Sequence, residues 1–404
     1  MDILFVGQQA WDTDIGSNAK NIAEIFGQQH RVLYINSPLD RKTLLTQANL
    51  PTVKKRRDVL NGRLSGIEKI NENLWVYYPD VVLESINWIP FSVVFDWVNT
   101  INGRRFAQSI KRAMHKLGFK ADLLFNDNDI FRSFYLPELL APTASIYYSR
   151  DNMLAVPYWR KHGIRLEPLL MKKSSICFAN STYLADICRL YNPHSYYVGQ
   201  GCDLSLFNPQ VNSPRPDDLP LSDRPLIGYV GALLALRLDI QLLEALAKLC
   251  PQWNFVFVGP EDNSFQVSLL HKLPNVFFVG PKPVELLPQY IQAFDLCLNP
   301  QKINPVTIGN YPRKIDEYLA MGKPIVATST PFMQEVFGQF VYLADSPITY
   351  QDAIVKGLSE NNPSLQALRI QVAISHTWEN CVKSMYHYID EYVLVKEKNL
   401  PHVA

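Results

Sequence analysis

The residues best suited to chemistry are two adjacent cations and a carboxylate at the start of a short helical pattern. Arg313 and Lys314 follow Pro312, and Glu317 comes one turn later. Pro312 fits the first helical position, so the helix dipole would disfavour each cation by about 0.3–1 kcal/mol. Such a placement favours an anion site, since backbone N–H groups, Arg and Lys all bind phosphate. Glu317 would then accept hydrogen bonds from sugar hydroxyls.

The same spacing has a structural interpretation. Arg313 with Asp316, and Lys314 with Glu317, are spaced as i,i+3 surface pairs, which contribute only about 0.2–0.5 kcal/mol each. The residues alone leave the anion site and the surface pairs equally open.

The elements that must position these residues are a loop, a helix and a strand. Residues 304–311 are rich in Pro, Gly and Asn and predict a loop. Ile315 and Leu319 give the helix an apolar stripe. Gly322 is placed to end the helix and Pro324 prevents it from resuming, so the apolar run 325–327 predicts a short buried strand.

Composition describes an ordinary globular chain. The 404 residues carry a formal net charge of +1, so no overall field draws the chain to nucleic acid. Six scattered cysteines without a CxxC pair predict free thiols in a reducing compartment. The opening run MDILFVG predicts a strand rather than a signal peptide, and no apolar run reaches the roughly 18 residues that span a membrane. We therefore expect a cytoplasmic chain, with a position at the inner face of the membrane left open.

Apolar runs that end in polar loops recur along the chain and predict parallel strands alternating with helices. Residues 207–225 are rich in Pro, Ser and Asp and predict a linker between two such halves. We expect an α/β fold with two Rossmann-like domains whose parallel sheets face a central cleft. The predicted strands are 3–6, 31–35, 74–78, 122–125, 144–148, 175–179 and 196–198 in the first half, and 226–230, 254–258, 276–279, 296–298 and 325–327 in the second.

Polar side chains follow several strands of the first half and are expected at one edge of its sheet. Arg150 and Asp151 at such a strand end are better candidates for polar chemistry than any histidine. Their structural interpretation, a surface arginine and a helix cap, stays open. The D-x-D triplets 12–14 and 127–129 could hold a divalent cation, but the triplet is common by chance and predicts no metal site. GxGxxG, P-loop and GxSxG motifs are absent.

Two basic segments of the first half allow a second interpretation. The cluster Lys54-Lys55-Arg56-Arg57 predicts a solvated loop, with an anionic membrane surface or a phosphate-bearing acceptor as the alternative. Residues 86–119 predict a core-packing segment followed by an amphipathic surface helix. Because Trp88, Phe91 and Trp97 lie near its cations, a peripheral membrane face is the alternative there.

Two runs of the second half carry a family resemblance. NVFFVGPKPVELLPQYIQAFDLCLNP (275–300) and YPRKIDEYLAMGKPIVATSTP (311–331) resemble the donor half of GT-B glycosyltransferases, closest to bacterial family-4-like enzymes of surface polysaccharide assembly. HKLGFKADLLFND, YYSRDN, FANSTYL and GQGCDLSLFNP extend a weaker similarity over the first half. The resemblance implies an acceptor-side domain (1–206), a nucleotide-sugar domain (207–375) and a C-terminal helix (376–404) that returns toward the first domain.

Carried over position by position, the resemblance implies a donor site and an acceptor side. Lys314 and Arg313 match basic positions near the donor diphosphate, and Asp151 matches an acidic acceptor-side position; these three are the catalytic candidates. Glu317 matches the acid that holds the ribose. The other donor-binding candidates are Gly231, Arg237, Thr307, Ile308, Gly309, Asn310 and Tyr311, and those of the acceptor-side loop are Gly16, Ser17 and Arg150. Gly309 departs from the family, which usually has a second glutamate there, and Arg237 replaces the family's phosphate signature at a different spacing.

The resemblance implies transfer of a sugar from a UDP- or GDP-linked donor to a glycan, lipid-linked or small-molecule acceptor. Retention at the anomeric carbon, and no requirement for a metal or other cofactor, are implied with it. Peripheral membrane contact through the basic and aromatic segments is a further expectation, and nucleic acid is not expected as a partner. A glycosyltransferase-like binding subunit without catalysis, or a GT-B sugar-nucleotide epimerase, are the alternatives.

Overall fold

The computed structural model describes residues 1–13, 17–211 and 213–398. Contacts divide the chain into two units, one of residues 1–199 together with the chain from Cys381 onward, and one of residues 200–380. The predicted domain boundaries at 206/207 and 375/376 stay predictions beside these limits.

The first unit alternates strands and helices. Its strands are β1 (Asp2–Gly7), β2 (Arg31–Ile35), β3 (Leu39–Asp40), β4 (Ile67–Lys69), β5 (Leu74–Tyr77), β6 (Val82–Leu83), β7 (Leu123–Asp127), β8 (Ala144–Ser149), β9 (Ile176–Ala179) and β10 (Ser195–Tyr197). Its helices are α1 (Asn18–Gln29), α2 (Arg41–Thr46), α3 (Pro51–Leu60), α4 (Ser92–Leu117), α5 (Leu136–Leu140), α6 (Pro157–Lys173) and α7 (Thr182–Arg189).

Among the described residues, eight of these strands form one sheet in the order β10-β9-β8-β7-β1-β2-β5-β4, with β3 and β6 paired apart. Only β4 with β5 is antiparallel. The central strands are continuous apolar runs, as expected where helices cover both faces of a parallel sheet; Phe5 of β1, for example, stacks on Phe125 of β7. Parallel pairing brings the ends of β1, β7 and β8 to one edge.

The second unit repeats the pattern. Its elements are β11 (Leu226–Val230), α8 (Ile240–Leu249), β12 (Asn254–Val258), α9 (Asn263–Gln266), β13 (Val276–Gly280), α10 (Leu287–Ala293), β14 (Leu296–Asn299), α11 (Lys314–Ala320), β15 (Ile325–Thr328), β16 (Tyr342–Ala344), α12 (Pro347–Ser359) and α13 (Pro363–Ser375). Its strands form a parallel sheet in the order β13-β12-β11-β14-β15-β16.

The last helix, α14 (Trp378–Lys398), packs mainly on the first unit. Tyr386 meets Phe26 edge-on at 5.3 Å between ring centroids, and Tyr388 stacks on Tyr196 at 3.8 Å. The predicted return of this helix toward the N-terminal domain is therefore observed. No helix in the described part of the chain has both the length and the apolar character needed to cross a bilayer.

Two segments differ from what the sequence predicted, although the first of them has no helix or strand in its described residues. The segment expected as a linker, 207–225, packs on the second unit, because Phe207 and Leu219 are buried and Asp218 pairs with Lys282 at 2.6 Å. The basic cluster expected as a solvated loop lies on helix α3. There Arg56 is buried against Asp12.

Candidate active site

Helix α11 fixes Lys314 over the end of strand β11. Ile315 and Leu319 are fully buried and hold the helix on the sheet. Tyr318, one turn after Lys314, accepts a hydrogen bond from the backbone N–H of Val230 at 2.8 Å. Because residues four apart share a helix face, this anchor also directs Lys314 toward the end of β11.

The Lys314 ammonium group lies against a tyrosine and a glycine. Its Nζ donates to Tyr229 Oη at 2.9 Å and lies 4.5 Å from the centroid of that ring. In the described part of the chain it forms no ion pair with a carboxylate. A cation that is bonded to a phenol rather than to a carboxylate is suited to bind an anion.

Gly231 leaves room beside this ammonium. Its φ is +135°, which disfavours a side chain, and a Cβ there would come 3.2 Å from Lys314 Cε. Gly259, with φ +150°, ends β12 next to it, and a Cβ there would lie 2.1 Å from the Gly231 oxygen. The bare backbone at these two strand ends lets a ligand approach the cation closely.

Arg313 and Glu317 form an i,i+4 pair beside Lys314. Arg313 Nε lies 3.1 Å from Glu317 Oε1, but the Nε–H makes no aligned hydrogen bond. Glu317 is 14% exposed. Burial raises the pKa of Glu317 above its usual value, against the charges of Arg313 and Lys314. A partly open carboxylate with an unaligned partner can accept hydrogen bonds from a ligand.

Two details of the predicted helix were wrong. The helix begins at Lys314 with Arg313 as its N-cap, so Pro312 lies before it rather than at its first position. The i,i+3 surface pairs do not form, because Asp316 is fully buried and bonds elsewhere. Gly322, with φ +68°, follows the end of the helix as expected.

The predicted donor loop is a tight turn joined to the segment after β11. Ile308 N–H donates to the Asn304 oxygen, and Asn310 N–H to that of Thr307. The Thr307 hydroxyl is buried and donates back to the Lys302 oxygen, so it stabilises the loop. Gly309 is buried within the turn.

Arg237 lies on the segment that borders this turn. Its backbone oxygen accepts from Lys302 N–H at 2.9 Å, while Asn304 Nδ2 donates to the oxygen of Leu236 at 2.8 Å. Gly231, Lys314, Glu317 and the two loops all belong to the second unit, and their joint role as a donor site stays a prediction.

Tyr311 has a structural contact instead of an open hydroxyl. Its Oη donates to Asp316 Oδ2 at 2.5 Å, and Asp316 Oδ1 lies 2.8 Å from His376 Nδ1. Burial alone lowers the pKa of His376, but the hydrogen bond and charge of Asp316 outweigh it and raise that pKa above 6.5. Burial likewise raises the pKa of Asp316. This buried network lies directly behind Glu317.

The acceptor-side candidates gather at the strand ends of the first unit. Arg150 Nε donates to Asp127 Oδ1 at 2.8 Å, and its Nη1 donates to Asp151 Oδ2 at 3.2 Å. Asn128 Oδ1 accepts from the N–H groups of both Arg150 and Asp151. Burial opposes the charge of Arg150, but Asp127 and Asp151 outweigh it and raise its pKa. Asp151 remains 37% exposed.

The glycine loop of the first unit is described only in part. Ser17 is buried and caps α1, with Lys20 N–H 3.5 Å from its Oγ. Gly16 lies outside the described residues, as does Asp14 of the first D-x-D triplet. Asp12 pairs with Arg56, and Asp127 with Arg150. Among the residues that the structure describes, no group of His, Cys, Asp and Glu side chains converges as metal ligands would.

The sequence interpretation missed Tyr229 and the Asp316–His376 pair. Tyr229 stood within an apolar strand run, where a tyrosine is expected to be core. Tyr229 is the next-to-last residue of β11 and lies two residues before Gly231, and this position was the signal that the sequence offered. His376 is distant from Asp316 in sequence, and no local pattern joins them.

Comparison with known proteins gives a family match for part of the chain and a fold for nearly all of it. Residues 224–360 match the family Glycosyl transferases group 1. The chain is 30% identical over 191 residues to TuaH of Bacillus subtilis (strain 168), named as a teichuronic acid biosynthesis glycosyltransferase. That match covers 46% of this chain and 48% of TuaH, so it spans about half of the relative.

Solved structures match over nearly the whole chain at low identity. Sucrose-phosphate synthase from Thermosynechococcus elongatus has a TM-score of 0.67 and 15% identity, over 98% of this chain and 99% of that one. HepE of Anabaena, in complex with UDP and glucose, has a TM-score of 0.63 and 17% identity, over 96% and 99%. The predicted GT-B fold and the likeness to glycosyltransferases are thus confirmed; the family-4-like subclass stays a prediction.

Proposed function

We propose that the chain transfers a sugar from a nucleotide-sugar donor to an acceptor, because residues 224–360 match the family Glycosyl transferases group 1. The observation that carries the proposal is the Lys314 ammonium, which is bonded to Tyr229 and lies beside Gly231. A nucleotide sugar brings a diphosphate, and a lysine beside bare backbone is suited to bind it.

The neighbouring pair, Arg313 and Glu317, is proposed to contact the nucleotide part of the donor. Glu317 accepts hydrogen bonds from the ribose hydroxyls, and Arg313 adds positive charge near the diphosphate. The raised pKa of Glu317 supports this role, because a carboxylate that burial penalises gains most from new hydrogen-bond donors. Arg237 and the loop 307–311, whose segments are hydrogen-bonded to each other, are proposed to contact the donor as well.

Lys314 and Arg313 would act on the leaving group. As the bond to the anomeric carbon breaks, negative charge grows on the departing nucleoside diphosphate. Fixed cations stabilise that charge, an effect typically worth about 2.7–4 kcal/mol per donor. Asp151 of the first unit is proposed to orient the acceptor hydroxyl.

Retention and independence from metal are part of the proposal. Retention rests on the family resemblance alone. For metal independence, the support is that Asp12 and Asp127 of the two D-x-D triplets each pair with an arginine. An arginine already supplies the charge that a cation would bring to these carboxylates.

The donor and acceptor are proposed from relatives. HepE is solved with UDP and with UDP-glucose, which favours a UDP-linked donor here over a GDP-linked one. TuaH is named for teichuronic acid biosynthesis, which supports a cell-surface glycan or its lipid-linked precursor as acceptor, at the cytoplasmic face of the membrane.

Calorimetry with UDP, GDP, UDP-glucose and GDP-mannose tests the donor site. We expect UDP to bind, and Glu317→Gln to weaken UDP while leaving the affinity for 2′,3′-dideoxy-UDP unchanged. Slow donor hydrolysis should persist in EDTA, and the anomer first released, read by NMR, reports the stereochemistry. If none of these nucleotides binds, the donor assignment is wrong.

The same measurements separate the two alternatives. A binding subunit without catalysis would bind UDP but would neither hydrolyse a UDP-sugar nor transfer its sugar. An epimerase would interconvert UDP-sugars with the nucleotide still attached. Release of UDP together with a free or transferred sugar supports the transferase.

A further inference from the structure

The start of helix α4 exposes an unusual concentration of large apolar side chains. Trp88, Phe91, Val93, Val94 and Trp97, here called the aromatic surface, are between 45% and 81% exposed. Contiguous exposed apolar groups of this kind mark interaction sites, whereas single ones are ordinary.

The aromatic surface is held in place from behind. Phe95, on the opposite face of α4, is fully buried and stacks on His162 at 3.8 Å. The indole N–H of Trp88 donates to the Ser85 oxygen, and Lys161 Nζ donates to the oxygen of Trp88. The ring of Trp88 therefore faces solvent although its polar atom is satisfied, as suits a side chain at an apolar–polar interface.

Cations border the aromatic surface. Arg104 lies on the exposed side of α4 two turns after Trp97, and Arg160 and Lys161 are exposed on α6, where Lys161 bonds to the oxygen of Trp88. Nearby acids are already paired: Asp96 with Arg165, and Glu84 with Arg41 and Arg105. The region therefore presents net positive charge next to aromatic rings, which complements an anionic lipid surface.

A cavity of about 570 Å³ opens beside the same rings, within the first unit. Trp88 and Tyr158 line it together with Asn87 and Arg132. Asn87 Oδ1 is buried there and accepts no hydrogen bond from the described residues. A cavity that combines aromatic rings with amide and charged side chains suits the sugar head of a molecule anchored in a bilayer.

We propose that the aromatic surface docks on an anionic lipid bilayer and that the chain takes its acceptor from that bilayer. The acceptor half of this inference rests on the proposed transferase function. Of the two basic segments considered from the sequence, the structure favours residues 86–119, because Lys55 and Arg56 of the other are engaged with Glu68 and Asp12.

The test is co-sedimentation with vesicles of phosphatidylcholine, with or without phosphatidylglycerol. The wild-type chain should bind the anionic vesicles, and the double variant Trp88→Ser/Trp97→Ser should bind them about tenfold more weakly or not at all. The matched control is Leu221→Ser/Val267→Ser, which removes two apolar groups that are 94% and 82% exposed on the second unit. The control should bind like the wild type.

Calorimetric binding of UDP to each variant shows that the chain is folded. The same measurement tests the transferase proposal separately from the docking surface. Vesicle binding that is absent in the wild type, or unchanged in the double variant, overturns the docking surface even where UDP binds. In another outcome, the chain self-associates without binding vesicles, and only the tryptophan variant abolishes that self-association. The aromatic surface would then be a contact between copies of the chain, and this result too would overturn the docking proposal. Vesicle binding without UDP binding leaves the docking surface in place and removes the transferase.

Discussion

Both units gather charged side chains at the ends of parallel strands, but the charges are balanced differently. In the first unit, Arg150 is bonded to both Asp127 and Asp151. In the second, the Lys314 ammonium meets a phenol and a glycine. Similar strand ends can therefore differ in local charge: the arginine of the first edge is bonded to carboxylates, whereas the lysine of the second is bonded to a phenol and forms no ion pair with a described carboxylate.

Physical chemistry explains why the difference persists. A cation that is bonded to carboxylates is already compensated, whereas one that is bonded to a phenol keeps its charge available to an incoming anion. Glycines with positive φ beside such a cation are typical of a functional site. Variants at the two edges should therefore lower transfer by different amounts.

The largest effect is expected from Lys314→Met. The variant keeps the length of the side chain but removes its charge, so kcat should fall roughly 10²–10³-fold if the ammonium stabilises the leaving diphosphate. Steady-state transfer or donor hydrolysis measures the change. Lys356→Met, on the exposed face of α12, is the matched control and should leave kcat unchanged. Near-normal turnover in Lys314→Met would remove the basis of the comparison.

Gly231→Ala tests whether the space beside Lys314 matters as well as its charge. The methyl group would come 3.2 Å from Lys314 Cε, so the end of the lysine must shift by a few tenths of an ångström, and a misplaced binding group weakens binding. We expect UDP affinity to fall by roughly tenfold. Gly280→Ala is the control, because its φ is also positive, at +72°, but its Cβ would meet nothing within 4 Å. Equal losses of UDP affinity would indicate backbone strain alone.

Asp151→Asn tests the strand ends of the first unit. We expect kcat with a good acceptor to fall about tenfold, since a charged hydrogen bond to the acceptor hydroxyl is typically worth about 1.5–3 kcal/mol. UDP affinity, measured by calorimetry, should stay the same. Asp186→Asn removes a carboxylate from an exposed pair of the same unit and serves as the control. A loss of UDP affinity in Asp151→Asn would contradict its placement on the acceptor side.

The strands and the Lys314 segment were predictable because their signals are local. Apolar runs ending in glycine located β11 and β12, and Gly322 located the end of α11. Strands β3 and β6 were missed because runs of two residues carry no period. The segment 207–225 was predicted as a linker because of its composition. Two buried apolar residues are nevertheless enough to attach it to the second unit. Tyr229 and His376 act through partners far away in sequence, which only the fold brings together.

The smallest effect on transfer is expected at His376, behind the donor edge. The pKa of His376 and that of Asp316 are both raised on folding, so the folded chain binds more protons than the unfolded chain. The stability from His376 is fully present below its usual value of 6.5 and is lost as the pH rises through its raised pKa, whereas that from Asp316 is lost from the usual carboxyl value of 3.8 upward. His376→Gln should flatten that part of the curve of unfolding free energy against pH and leave transfer unchanged. If the variant keeps the wild-type slope of unfolding free energy against pH, the Asp316–His376 contact is not the source of that slope. If transfer falls, the buried contact acts on Glu317, and residues behind the donor edge contribute to the difference between the two edges.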